Sequence, residues 1–233
     1  ARYQWASTDG LWQEAIASWR PFTGIAAPAM VSQLMPPLAS MLAIAVVAGI
    51  GESEVAAWGL ASRLETLSLM VVLAMTMSLP PWLGRCYGAG DWGQIHQLMA
   101  LALKVALLWQ LALGVLLALM APWLAMALAG SPDVENELTL LIRFLLPSYA
   151  ALGVCMLVVS AGNALGWPLR AMLLSSARLF ICYLPCLWLG AQFLGWWGLA
   201  AGAAVGNLLA GLLAWQVLTR ILSRPHRQSA NVA

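Results

Sequence analysis

Residues 101–120, LALKVALLWQLALGVLLALM, decide the fold. A helix rising ~1.5 Å per residue needs about 20 residues to cross ~30 Å of hydrocarbon, and this stretch supplies them with Lys104 as its one charge. Its apolar residues do not alternate with polar ones, as the strands of a membrane barrel must. A spanning helix is what remains.

Working outward, the chain divides into six such blocks, roughly 22–50, 55–83, 96–121, 138–163, 171–193 and 197–221, separated by short polar breaks. Hydrophobic residues make up 62% of the chain and charged ones 9%, and the mean hydropathy is +0.84. A water-soluble domain carries about a quarter of its residues charged, so this chain is solvated by lipid. The expected fold is all-α, a polytopic transmembrane bundle of six spans.

Charge gives the orientation. Eleven Lys+Arg stand against nine Asp+Glu, with no clustered basic face of the kind nucleic acid requires. Arg2, Arg20, Arg85, Lys104, Arg170, Arg178, Arg220, Arg224 and Arg227 lie in or beside the leading segment, two alternate loops and the tail, whereas Glu52, Glu54, Asp133, Glu135 and Glu137 occupy the opposite loops. The positive-inside rule then places both ends in the cytoplasm and the acidic loops outside. Arg63 and Arg143 dissent, and both fall inside helices.

Trp5, Trp12 and Trp19 recur every seven residues, as on one side of an interfacial helix, although an irregular loop with scattered tryptophans has the same composition. Residues 1–20 read as a cytoplasmic connector, 21–222 as the six-helix unit and 223–233 as a cytoplasmic tail. Cys86, Cys155, Cys182 and Cys186 lack neighbouring His or carboxylate, so a metal site is not expected, nor is a disulfide framework.

Breakers and polar residues mark the places of interest within the spans. Pro28, Pro36 and Pro37 fall in the first block, Pro80 and Pro81 in the second, Pro147 in the fourth and Pro185 in the fifth. Interior prolines remove a backbone hydrogen bond, and the first helix is expected to bend near Pro36. Gly198, Gly202 and Gly206 repeat every four positions, the pattern that lets a helix approach closely, inside the molecule or at a dimer contact. Glu65 is the carboxylate that lies in a spanning block away from its ends, where a charge costs on the order of 2.5–3.5 kcal/mol. Arg63 is two positions away and points to another side of the helix. By depth, Arg143 is the expected counter-charge. A structural ion pair and a role in substrate or cation handling both fit. Gln33, Gln110, Ser148, Tyr149, Asn163 and Asn207 are further buried-polar candidates, each suited to an interhelical hydrogen bond, with Asn163 placed to cap a helix end.

Enzyme chemistry finds no support. His96 and His226 are the histidines, and H-E-x-x-H, G-x-S-x-G and P-loop patterns are absent from the sequence. No cofactor is expected.

WRPFTGIAAPAMVSQLMPPL (19–38), VAAWGLASRLETLSLMVVLAMTMSLPPWLGRCYGAGDWGQI (55–95), IRFLLPSYAALG (142–153) and AGNALGWPLRAMLLSSARL (161–179) resemble, in order, landmarks of the C-terminal half of the multidrug and toxic compound extrusion family. The resemblance implies one six-helix lobe of a twelve-helix antiporter in the cell (inner) membrane, exporting small organic cations in exchange for H⁺ or Na⁺ around a central cavity. It implies a missing N-terminal lobe, in keeping with a chain that starts at Ala1, and a short interfacial segment in APWLAMALAGSPDVENE (121–137). Glu65 and Arg63 match the family's RLE triplet, and with Gln33, Tyr149 and Asn163 they are the expected pathway residues. Two acids that some members carry are matched here by Pro36 and Val154, which puts the coupling carboxylate in the other lobe. A lipid-linked-sugar flippase of the same superfamily, or a half-size protein working as a homodimer, are the alternatives.

Overall fold

The computed structural model describes residues 11–222, with side-chain surroundings from residue 26 to 220 apart from residue 29. The expected tryptophan stripe of the connector and the tail arginines Arg224 and Arg227 lie outside those described surroundings.

The described chain is helical between short turns. The helices are α1 (Leu11–Ala48), α2 (Glu52–Ser68), α3 (Met70–Gly88), α4 (Trp92–Leu119), α5 (Ala121–Leu128), α6 (Pro132–Ala164), α7 (Pro168–Ala177) and α8 (Leu184–Leu222), with a π-helical stretch, Arg178–Tyr183, joining the last two. By length and composition, 26–48, 92–119, 132–164 and 168–220 can each cross a membrane, and α2 with α3 together are long and apolar enough for a further, bent crossing. The run 168–220 is 53 residues long, about twice what one crossing needs. It turns back at Gly195, whose φ of 58° and ψ of −135° break the helix. A residue with a side chain adopts that φ only with strain, so glycine makes the hairpin possible. Counted this way, the six crossings expected from the sequence are present, with α5 as the short segment between the third and fourth.

α6 is the hub. It packs against α2, α3, α4, α5, α7 and α8, and 72% of its most apolar window is buried, against 28% for α4. Lipid provides no hydrophobic drive between helices, so these contacts rest on close packing and hydrogen bonds. Small residues supply the first. A Cβ on Gly114 would stand 2.6 Å from the Leu146 carbonyl oxygen, and one on Gly211 would stand 2.7 Å from Ala151 Cβ. The Gly198, Gly202 and Gly206 stripe faces the other arm of its own hairpin: side chains there would run into Gly190, Cys186 and Tyr183. The stripe therefore closes the hairpin from within. Buried hydrogen bonds supply the second. Asn207 Nδ2 donates to Ser148 Oγ at 3.0 Å, Ser160 Oγ donates to the Thr76 carbonyl at 2.7 Å, and Gln110 Nε2 donates to Ser68 Oγ.

The second apolar block is two helices rather than one. It bends by 44° between α2 and α3, at Leu69, while Pro80 and Pro81 sit inside α3 without ending it. The bend lies where Gln110 of α4 holds Ser68 and where Val72 seats against Gly153 of α6. α1 stays helical through Pro28, Pro36 and Pro37.

Charged residues sort to the two ends. Arg85 closes α3, Arg170 opens α7 and Arg220 lies in the last turn of α8. Glu52 and Glu54 open α2, and Asp133 and Glu135 open α6.

Candidate functional site

A cavity lies beside the bend between α2 and α3. About 350 Å³ in volume, it is walled by Pro36, Pro37 and Ser40 of α1, Trp58, Ser62, Glu65 and Thr66 of α2, Leu73 of α3, Tyr149 and Met156 of α6, Arg178 and Tyr183 of the π-helical stretch, and Asn207 of α8. Six elements meet around one carboxylate.

Glu65 is held from the α6 side. Tyr149 is 2% exposed, and its hydroxyl donates to Glu65 Oε2 at 3.0 Å. A phenol O–H donates to a carboxyl oxygen, and the bond fixes both side chains in the cavity wall. The cation within electrostatic reach is Arg178. It stands ten residues past Pro168, roughly 15 Å along the helix and so near mid-depth.

This corrects the sequence reading in two places. Arg143 is exposed rather than turned to Glu65, because its position on α6 differs from the buried face that presents Leu141, Leu145, Tyr149 and Leu152. Arg178, grouped by sequence with the loop charges, lies inside a span instead. The cause is local. Pro185 has no N–H for the carbonyl of Ile181, and its ring crowds that turn. The chain before it widens into the π-helical stretch, and such wide turns redirect side chains at functional sites. An arginine within an apolar block was the available signal.

A second, larger cavity of about 970 Å³ adjoins the first; Pro36, Leu73, Met156 and Arg178 line both. Gln33 and Asn163 belong to this second chamber together with Ser32, Thr76, Cys155 and Ser175. Asn163 does not cap with its side chain: its backbone carbonyl accepts from Gly166 N at 3.3 Å, whereas its buried Oδ1 has no hydrogen-bond partner. Asn163 lines this chamber, and a buried acceptor without a protein partner is one that a water or a ligand donor would satisfy. Of the pathway residues expected from the sequence, Glu65 and Tyr149 thus meet in one chamber, Gln33 and Asn163 in the next, and Arg63 is exposed and lines neither. Pro36 and Pro37 line the first chamber; Pro28 does not. Sequence reasoning missed Arg178 and Tyr183 as wall residues. Among the described residues, no group of three or more His, Cys, Asp or Glu side chains is arranged to hold a metal ion.

Known proteins share both the sequence pattern and the fold. The chain is 34% identical over 205 residues to the FAD transporter of Shewanella oneidensis, which covers 88% of this chain and 45% of the relative. It is 28% identical over 145 residues to the probable multidrug resistance protein NorM of Deinococcus radiodurans, covering 62% of this chain and 27% of the relative. The crystal structure of a mutant of the Vibrio cholerae MATE transporter VcmN superimposes with a TM-score of 0.89 at 42% identity, over 97% of this chain and 50% of that one. The bent form of VcmN gives 0.86 at 43% identity, over 96% of this chain and 50% of that one. The chain therefore spans about half the length of the proteins it resembles. The MatE family model matches residues 28–189, and the chain belongs to the multidrug and toxic compound extrusion family of membrane transporters.

Proposed function

We propose that this chain is the C-terminal six-helix lobe of a cation-coupled exporter of small organic, cationic substrates. The lobe sits in the cell (inner) membrane with both ends of the segment cytoplasmic. It works by alternating access against an N-terminal lobe. The observation that carries the proposal is the Glu65–Tyr149 pair in the wall of an intramembrane chamber, since a carboxylate kept within a span is costly unless it serves a pathway or a structural pair. Trp58, Tyr149 and Tyr183 place aromatic side chains in the same wall, the residue type that attracts an organic cation. H⁺ or Na⁺ is the coupling ion. Because Pro36 and Val154 stand where some members carry acids, the coupling carboxylate belongs to the other lobe, and Glu65 contributes to substrate handling and gating.

The test is Glu65→Gln in the full-length protein in proteoliposomes, with efflux of a cationic dye followed across pH. Slower efflux with an altered pH profile supports the reading. Unchanged transport at every pH removes Glu65 from the mechanism.

A second reading is an anionic, phosphate-bearing cargo. It is favoured by the 34% identity to a protein named as an FAD transporter and by Arg178, which lines both chambers. The same proteoliposomes separate the two: uptake of FAD that is lost in Arg178→Gln and unaffected by cationic dye supports the anionic cargo.

A further inference from the structure

At the end of the molecule opposite the Gly195 turn, α7 and the second arm of α8 leave a groove between them. Leu173, Leu174 and Ala177 of α7 form one wall, and Leu213 and Val217 of α8 the other. Arg170 and Arg220 stand at its polar end. The volume is about 420 Å³, within the ~300–1,000 Å³ of ordinary ligand sites.

Topology brings the two arginines together. Arg170 is in the first turn of α7 and Arg220 in the last turn of α8, and the hairpin folds those turns onto one end. Each guanidinium carries five N–H donors, so the two together can offer several charge-assisted hydrogen bonds to one phosphate beside whatever other contacts they make. Arg170 is also oriented. Its guanidinium lies 5.4 Å over the Trp167 ring, and Trp167 in turn stacks on Trp92 with ring centroids 6.3 Å apart. Tyr87 packs edge-on to both, and Arg85 lies 5.6 Å over Trp82 on the helix that carries Tyr87. Aromatic rings and arginines gathered at one end of a bundle mark the headgroup level of the bilayer.

We propose that this groove is a binding site for an anionic phospholipid, with the headgroup phosphate between Arg170 and Arg220 and an acyl chain against Leu173, Leu213 and Val217. The occupant follows from the two parts of the site together. A free anion has no use for five aliphatic side chains, and a neutral acyl chain has none for two arginines. Basic clefts between transmembrane helices hold anionic headgroups by this combination of charge and apolar contact. The site is separate from the Glu65 chamber, and its assignment is independent of the transport reading.

The experiment is native mass spectrometry of the full-length protein in detergent, titrated with phosphatidylglycerol or phosphatidylcholine of the same chains. The wild type is expected to retain phosphatidylglycerol in preference to phosphatidylcholine. At about one charge's worth of interaction per arginine, Arg170→Gln or Arg220→Gln should weaken phosphatidylglycerol roughly fivefold, and the double variant roughly thirtyfold. Leu213→Trp keeps both charges and fills the groove, so it should weaken both lipids. Arg85→Gln lies at the same end outside the groove and should leave the preference in place. Four results would overturn the assignment: equal retention of the two lipids by the wild type; an Arg85→Gln loss as large as that of Arg170→Gln; no effect of Leu213→Trp; or displacement of the lipid by excess inorganic phosphate. Retention of no lipid at all, as when another part of the full-length protein covers the groove, also rejects it.

Discussion

Glu65 is stabilised by partners on helices far from it in sequence, and this determines how it responds to substitution. Tyr149 gives it a hydrogen bond from α6, and Arg178 gives it a nearby positive charge from the π-helical stretch. Glu65 and Arg178 are both half-buried in the chamber wall, where charges are screened less than on an open surface. An exposed arginine contributes about 0–1 kcal/mol. Arg178→Gln should therefore lower the thermal midpoint of the purified full-length protein more than Arg143→Gln does. Glu65→Gln combined with Arg178→Gln should recover part of the loss, with a coupling above about 0.5 kcal/mol in a double-mutant cycle. A cycle with no coupling would mean that the two groups act separately. Tyr149→Phe removes only the hydroxyl, and interhelical hydrogen bonds in membranes are worth about 0.6–1.7 kcal/mol, so its effect on stability should be the smaller one. The sequence is unevenly legible at this scale. Glu65 and Tyr149 stand out as polar residues in apolar blocks. The choice of Arg178 over Arg143 depends on which way a proline-widened turn faces, and linear depth cannot report that.

Among the elements, the hairpin at Gly195 and the bend at Leu69 set the shape of the site, and they differ in how openly the sequence announces them. The glycine stripe at 198, 202 and 206 has a period that signals close approach, and the structure assigns the contact to the preceding arm. The bend at Leu69 has no proline or glycine of its own. It lies where Gln110 and Gly153 of other helices meet Ser68 and Val72, contacts that local sequence does not show. The two kinds of glycine give opposite predictions. Gly202→Leu forces a side chain into the Cys186 backbone, and overpacking of this kind costs about 1–3 kcal/mol or more. The variant should lose thermal stability and expression in the membrane. Gly59 in α2 has nothing within 4 Å of a built Cβ. Gly59→Ala should therefore be neutral or stabilising by up to about 1 kcal/mol, since alanine is the better helix former. Thermal unfolding of both variants beside the parent checks the pair. A Gly202→Leu protein as stable as the parent would mean that the hairpin arms stand too far apart for the stripe to join them.

For the whole molecule, the charges at the two ends carry the remaining structural information. One end gathers Arg85, Arg170 and Arg220, and the other gathers Glu52, Glu54, Asp133, Glu135 and Glu137. Glu137 lies within electrostatic reach of both Glu54 and Asp133, so the acids of two separate loops share one surface. Six crossings need each successive loop to change sides, and the segregation of charge agrees with that alternation at every charged loop, the turn at Gly195 carrying none. Insertion retains positive loops in the cytoplasm, whereas acidic residues contribute little. The orientation therefore rests on the arginines. It can be measured in intact cells. In a full-length protein with Cys86, Cys155, Cys182 and Cys186 replaced by alanine, single cysteines are introduced as Glu54→Cys in the first turn of α2 and Gln94→Cys in the first turn of α4. A membrane-impermeant thiol reagent should label Glu54→Cys from outside, and Gln94→Cys only after the membrane is permeabilised. The reverse pattern would invert the lobe. Labelling of both from one side would mean that α2 and α3 do not together cross the membrane, since one bent crossing is all that separates the two positions. The 44° bend at Leu69 would then be the floor of a re-entrant loop, and the Glu65 chamber would open to one face only.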